Sequence, residues 1–314
     1  MIAASALLLV VSAASVVIAA APSSLAASAT GFIYYGRPSP AGDPGIWAMR
    51  ADGSEDHFVM ATPNGSSDLA WSPDGSRIAF VRGLPAGSPQ RYDIWVMDAN
   101  GSALTRLTRH RGDEGHPTWS PDGRWVAFQR TLRRATSIFR KNVDAPLDSA
   151  VRLTHAASRR QVIISDTVPT WSPAADRIVF GRDRYYRTCG CDAFSLGAVT
   201  ADGVFSRVRR SLTQPSWNPS GDRLAAIDAG DCCSGSGPLF TLDPDGTDLV
   251  QIVPHDWDYF GRSIWSPNAS QIAFMAANAA DGCSTWWIVP GDGSAAPVQL
   301  PLPPCVQAVA WRSN

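Results

Sequence analysis

Short apolar runs alternate with turn residues along almost the whole chain, and the alternation has a fixed period. A tryptophan is followed nine positions later by the apolar end of a short run at Trp71 and Phe80, Trp119 and Phe128, Trp171 and Phe180, Trp217 and Ala226, and Trp265 and Phe274. Trp311 is a sixth copy, and successive tryptophans lie 48, 52, 46, 48 and 46 residues apart. A period that steady marks a repeat architecture, in which one supersecondary unit recurs because no single unit buries its own apolar face.

Each unit reads as four strands. Strand A carries the tryptophan and runs into Ser-Pro-Asp-Gly, as at Ser72–Gly75 and Ser120–Gly123. Pro presets the second turn position and Gly accepts the left-handed one. Strand B is an Ile-Ala-Phe-like run. Strand C is an Ile-Trp-Val-Met-like run closed by Asp52-Gly53, Asn100-Gly101, Asp245-Gly246 or Asp292-Gly293, which are hairpin signals. Strand D is expected to end in Leu-Thr, at Leu107-Thr108, Leu153-Thr154 and Leu212-Thr213. Ala175 and Ala269 stand where the turn glycine belongs; each costs about 1 kcal/mol and predicts a different turn conformation. Four antiparallel strands repeated around a ring make an all-β, six-bladed β-propeller over residues 30–314. Gly31–Tyr35 reads as a strand B without a strand A, and Trp311 as a strand A without a strand B. Joining the two completes one blade and removes the free edge. Trp71, Trp119, Trp171, Trp217, Trp265 and Trp311 are accordingly structural, and Asp122 is a turn residue.

The best copy, Trp71 to Thr108, reads Trp-Ser-Pro-Asp-Gly-x-x-Ile-Ala-Phe, then Ile-Trp-Val-Met-Asp-x-Asn-Gly, then Leu-Thr. It resembles the WD40-like propeller repeat of the TolB family, and the resemblance covers about residues 31–314. True WD40 repeats are less similar, because the one Trp-Asp pair is Trp257-Asp258; kelch repeats are less similar because Gly-Gly is absent. The resemblance implies a ring-shaped scaffold that binds something. TolB itself acts in the cell envelope through protein–protein contact, with an extra α/β domain that has no counterpart in these 314 residues. Some TolB-like propellers are pectin-fragment lyases.

Composition narrows the partners. The chain is 45% hydrophobic with a formal net charge of −1, so no basic excess is present to neutralise phosphates and nucleic acid is not expected. The first charged residue is Arg37. Before it, the apolar run Ile2–Ala21 and Ala27-Ser28-Ala29 read as a secretory signal peptide over residues 1–29 or, at about 20 apolar residues, as an uncleaved anchor. The expectation is an exported monomer, extracellular or periplasmic, that touches a membrane only through that segment.

Candidate chemistry falls between the repeats. Strands B and C, and D and A, are joined on the face opposite the short turns, and these connections vary; binding residues favour such loops on a rigid scaffold. On that face the sequence places His110, Asp113, Glu114, His116 and His155, then Arg184, Tyr185 and Tyr186, then Asp256, Trp257 and Tyr259. Tyr, Trp and Arg are common interface anchors. His110, His116 and His155 are the candidate metal ligands, without the tight spacing of a known motif. No cofactor is called for. Six cysteines in an exported chain argue for disulfides: Cys283 with Cys305 within one blade, and Cys189 and Cys191 with Cys232 and Cys233 across blades, with a vicinal Cys232–Cys233 bridge as the alternative. The expected function is a non-catalytic binding module for a protein or a cell-envelope glycan. The alternative is a lyase-type carbohydrate-active enzyme with a histidine-lined funnel, with or without a metal.

Overall fold

The computed structural model describes residues 25, 30–63, 66–83, 91–145, 149–229, 237–254, 260–277, 284–303, 305–306 and 308–313. These form six four-stranded antiparallel sheets arranged as the blades of a ring. The second blade comprises β4 (Ser66–Trp71), β5 (Arg77–Gly83), β6 (Tyr92–Asp98) and β7 (Thr105–Arg106). The third comprises β8 (Asp113–Trp119), β9 (Trp125–Leu132), β10 (Ala135–Asn142) and β11 (Val151–Arg152). The fourth comprises β12 (Val162–Trp171), β13 (Arg177–Tyr186), β14 (Cys191–Thr200) and β15 (Phe205–Arg210). The fifth comprises β16 (Leu212–Trp217), β17 (Leu224–Asp228), β18 (Leu239–Leu242) and β19 (Val250–Gln251), and the sixth β20 (Phe260–Trp265), β21 (Gln271–Ala277), β22 (Ser284–Pro290) and β23 (Val298–Gln299). The first blade takes β1 (Phe32–Pro38), β2 (Pro44–Met49) and β3 (His57–Ala61) from the start of the ring and β24 (Ala308–Arg312) from its end. Ile33 pairs with Trp311 across that closure, as the unmatched strands predicted.

The apolar core is divided among the six interfaces between blades. Between the second and third, Ile94 and Val96 meet Trp119, Val126 and Phe128. Between the sixth and first, Ala273, Trp286 and Ile288 meet Ile33 and Trp311. The strand-B phenylalanines Phe80, Phe128, Phe180 and Phe274 are fully buried. The six tryptophans pack between blades, and four of them also latch the blades by a hydrogen bond. The indole N–H of Trp119 donates to the Ala70 carbonyl at 2.9 Å, that of Trp217 to Thr170 at 3.2 Å, and that of Trp265 to Ser216 at 3.3 Å. Each acceptor directly precedes the tryptophan of the preceding blade. At the closure Trp311 donates to the Thr30 carbonyl at 2.8 Å.

The turns follow from their chemistry. Asp74 accepts from the Ser72 and Ser76 hydroxyls at 2.6 and 2.7 Å, and these bonds hold its carboxyl down at about 2. Asp122 accepts from Ser120 in the same way. Two expectations are corrected. Ala269 keeps the left-handed turn, with φ 60° and its N–H on the Ser266 carbonyl at 2.9 Å, so the frame of the repeat overrides the Cβ penalty there. Leu212 and Thr213 do not end a strand D; they open β16, because β15 runs on to Arg210.

Candidate functional site

Every strand A is the innermost strand of its blade, and together these strands line a channel of about 590 Å³. Each carries a bulge at the same place. The pairing of strands A and B slips between Ser67 and Ala70, Gly115 and Thr118, Thr167 and Thr170, and Thr213 and Ser216. The residue three before each tryptophan is left-handed there: Asp68, His116, Val168 and Gln214 have φ of 48, 50, 50 and 49°. A valine in that region is costly, so the fold imposes the conformation rather than the residue. Pro117, Pro169 and Pro215 follow. Each lies within an unpaired bulge, where a missing N–H costs no ladder bond.

The bulge residues reach the channel. His116, Val168, Gln214 and Arg262, each three before its tryptophan, are among the lining residues. The lining extends from this level through Thr118, Thr170 and Ser216 to Ser72-Pro73, Pro173 and Asn218-Pro219, so the cavity runs toward the short A–B turns. His116 donates its backbone N–H to Asp68 Oδ2 at 3.3 Å, and its Nδ1 stands 3.8 Å from the same oxygen. Burial pushes its imidazole below the usual value, Asp68 opposes this, and Arg262 adds to it. Burial likewise lowers Arg262, and Asp68 opposes it.

The sequence candidates scatter. His116 lies on β8 and lines the channel, not a loop. Asp113 is exposed at the start of the same strand. Glu114 is not a surface contact. It is fully buried, bonded to Arg130 at 2.7 Å and to the Thr108 hydroxyl, although burial raises its carboxyl overall. His110 is half-buried in the connection to β8, where its Nδ1 accepts the Gly112 N–H at 3.1 Å; burial and then Arg130 lower its pKa. His155 is exposed, away from the channel lining. His110, His116 and His155 therefore do not converge, because only His116 lies on an innermost strand, while His110 lies in the connection before β8 and His155 in the one after β11. Among the described residues no three His, Cys, Asp or Glu side chains lie together as a metal site would require.

Arg184, Tyr185 and Tyr186 belong to β13 rather than a loop, since β13 and β14 form a long hairpin. Both tyrosines are exposed at its tip, and Arg184 donates to the Ser195 hydroxyl at 3.4 Å. Asp256, Trp257 and Tyr259 lie outside the described residues. So do Cys232, Cys233 and Cys283. Cys189 bonds to Cys191, with Cα atoms 5.3 Å apart, which corrects the expected pairing across blades. Gly190, at φ 66° between them, lets the chain fold back on itself. Cys305 is also disulfide-bonded.

Sequence reasoning missed Asp68, Gln214 and Arg262. It also missed a recurrent ion pair. Glu114 and Asp166 both lie five before a tryptophan, and Arg130 and Arg182 both lie two after a strand-B phenylalanine. Arg182 grips Asp166 with two bonds of 2.6 and 2.9 Å.

Residues 40–184 match the TolB beta propeller domain family. No curated protein matches the chain in sequence. Among solved structures, TolB from Acinetobacter baumannii is similar over 90% of this chain and 67% of its own, with a TM-score of 0.66 and 18% identity. An oligogalacturonate lyase in complex with manganese aligns over 86% of this chain and 74% of its own, with a TM-score of 0.56 and 14% identity. The β-propeller domain of the Trilobed protease from Pyrococcus furiosus aligns over 81% and 77%, with a TM-score of 0.52 and 14% identity. It is described as having an open velcro topology, whereas β1 and β24 close the ring here. Identities this low speak to the fold alone. With six closed blades and a repeat in register throughout, this chain is a six-bladed β-propeller, and within it residues 40–184 match the TolB beta propeller domain family.

Proposed function

We propose that this propeller is an exported, non-catalytic binding module for a protein or cell-envelope ligand. The observation that carries this reading is the channel: a preformed cavity of about 590 Å³ with a few convergent polar groups on a rigid ring, which is the usual form of a recognition site. Likeness to TolB-type propellers supports a protein partner. The paired cysteines support an oxidising compartment, and residues 1–29 are assigned as the export signal. Tyr185 and Tyr186, exposed at the hairpin tip, offer a second contact on the opposite face.

The lyase alternative keeps one supporting observation: His116 and Arg262 share the channel, and an elimination beside a carboxylate needs a base and a cation. Incubating the purified full-length export product with oligogalacturonate, while titrating it against envelope proteins and peptidoglycan fragments, separates the two. Saturable binding without turnover is expected. Accumulation of unsaturated sugar absorbing in the ultraviolet would replace the binding module with the enzyme.

A further inference from the structure

The channel lining carries cationic side chains, with Asp68 standing beside it next to His116. It contains Arg262, Arg312 and His116 and no aspartate or glutamate, in a chain whose formal net charge is −1. Several arginines elsewhere hold carboxylates. Arg106, Arg130 and Arg182 hold fully buried carboxylates, and Arg77 and Arg223 hold exposed ones. Among the described residues Arg262 makes neither an ion pair nor a hydrogen bond, and Arg312 stacks on the Trp71 ring, 4.9 Å from its centroid. Arg262 is half-buried in the channel wall and Asp68 acts on it only from a distance, without a bond, so its desolvation is not offset by an ion pair, a cost that stability alone does not explain. Gln214, at the same repeat position in the neighbouring blade, adds an amide to the lining.

From this geometry we infer that the channel is a carboxylate-binding site, in which Arg262 receives a single carboxylate of the ligand and Arg312 draws anions in at the rim. This rests on the binding-module reading and specifies the ligand chemistry. A fork of N–H donors fits a carboxylate in bidentate fashion. Asp68, whose field already reaches Arg262, opposes a doubly charged phosphate more than a singly charged acid. The hydroxyls of Thr118, Thr170 and Ser216 and the rings of Pro117, Pro169 and Pro215 line the space left for an uncharged body. The ligand is therefore a neutral chain bearing one acid group. An acidic side chain of a partner segment and a free small acid both present that chemistry.

The test is calorimetric titration of the full chain with a capped peptide carrying one central glutamate, its glutamine counterpart, N-acetylglutamate and inorganic phosphate. The glutamate peptide is expected to bind, and its glutamine and phosphate counterparts to bind at least about tenfold more weakly. Binding of N-acetylglutamate as tight as the peptide's identifies a free acid as the ligand; much weaker binding identifies a peptide segment. Arg262→Gln is expected to weaken binding roughly 10- to 100-fold while leaving the melting temperature equal or higher, because an unpaired cation has been removed. Arg312→Gln is expected to weaken binding less and to flatten its salt dependence. Equal binding of the glutamate and glutamine peptides, or a destabilised Arg262→Gln protein with unchanged binding, would overturn the inference. An envelope ligand that binds wild type and Arg262→Gln equally would overturn it while leaving the binding module standing. Carboxylate binding with no macromolecular ligand would do the reverse.

Discussion

The Asp166–Arg182 pair allows a stability prediction worked from its surroundings. The Asp166 side chain is fully buried and that of Arg182 is 14% exposed. The guanidinium is also stacked 4.3 Å from the Phe205 ring centroid and 5.6 Å from that of Phe180. Replacing Asp166 by leucine leaves a cation pinned between two aromatic rings with no counterion. Replacing Arg182 by methionine leaves a carboxylate with no solvent. Each single change is expected to cost about 3–5 kcal/mol, the range for breaking a buried pair from one side. The double variant, Asp166→Leu with Arg182→Met, removes both charges and fills the space. It is expected to lie within about 1 kcal/mol of the parent, because neither desolvation penalty remains. The coupling energy is then at least about 5 kcal/mol. Urea unfolding followed by tryptophan fluorescence, with an unchanged dependence on denaturant, measures all four corners of the cycle. A single variant costing less than about 1 kcal/mol, or a double variant worse than either single, would refute the reasoning.

Trp119→Phe is expected to cost about 1–2 kcal/mol for the lost bond to the Ala70 carbonyl, whereas Trp71→Phe costs less, since the Trp71 indole nitrogen is buried without an acceptor; parallel urea titrations compare them. Gly246→Ala puts a Cβ 2.3 Å from the Val208 carbonyl oxygen at φ +92°, while Gly42→Ala at φ +90° meets nothing within 4 Å. Thermal melts are expected to show the first destabilised well beyond the roughly 1 kcal/mol of backbone strain that the second pays alone. Asp183 is pushed up to about 6 by burial and by Asp192 beside it. A raised folded pKa in an acid means that ionisation costs stability as pH climbs from the ordinary carboxylate value through about 6. Asp183→Asn is therefore expected to raise the melting temperature at pH ~8 and leave it unchanged at pH ~4, and a gain of equal size at both would remove Asp183 as its source.

Local chemistry that recurs was legible before any coordinates. The tryptophan period, the Ser-Pro-Asp-Gly turns and the Asx-Gly hairpins fixed the blade count, the strand order and the closure of β24 on β1, because each depends on residues only a few positions apart or on a pattern repeated six times. Individual sites were harder. His116 looked like a loop histidine because nothing within its own segment shows that strand A extends back to Asp113. Glu114 looked like a surface anchor because its partner Arg130 is on the next strand. Aligning the repeats on one another would have exposed both the acid–arginine pairs of the third and fourth blades and the varied position three before each tryptophan.

What the sequence by itself determined is the ring: periodic apolar positions and turn residues specify blades, and blades that each need a neighbour to bury their faces specify a closed circle. What only the tertiary structure decided is where the chemistry meets. Asp68, His116, Gln214 and Arg262 come from four different blades, and a left-handed bulge in the innermost strand, rather than any local motif, carries the first three. Their proximity follows from closing the ring around its axis, a long-range event that leaves no signature in any one stretch of chain.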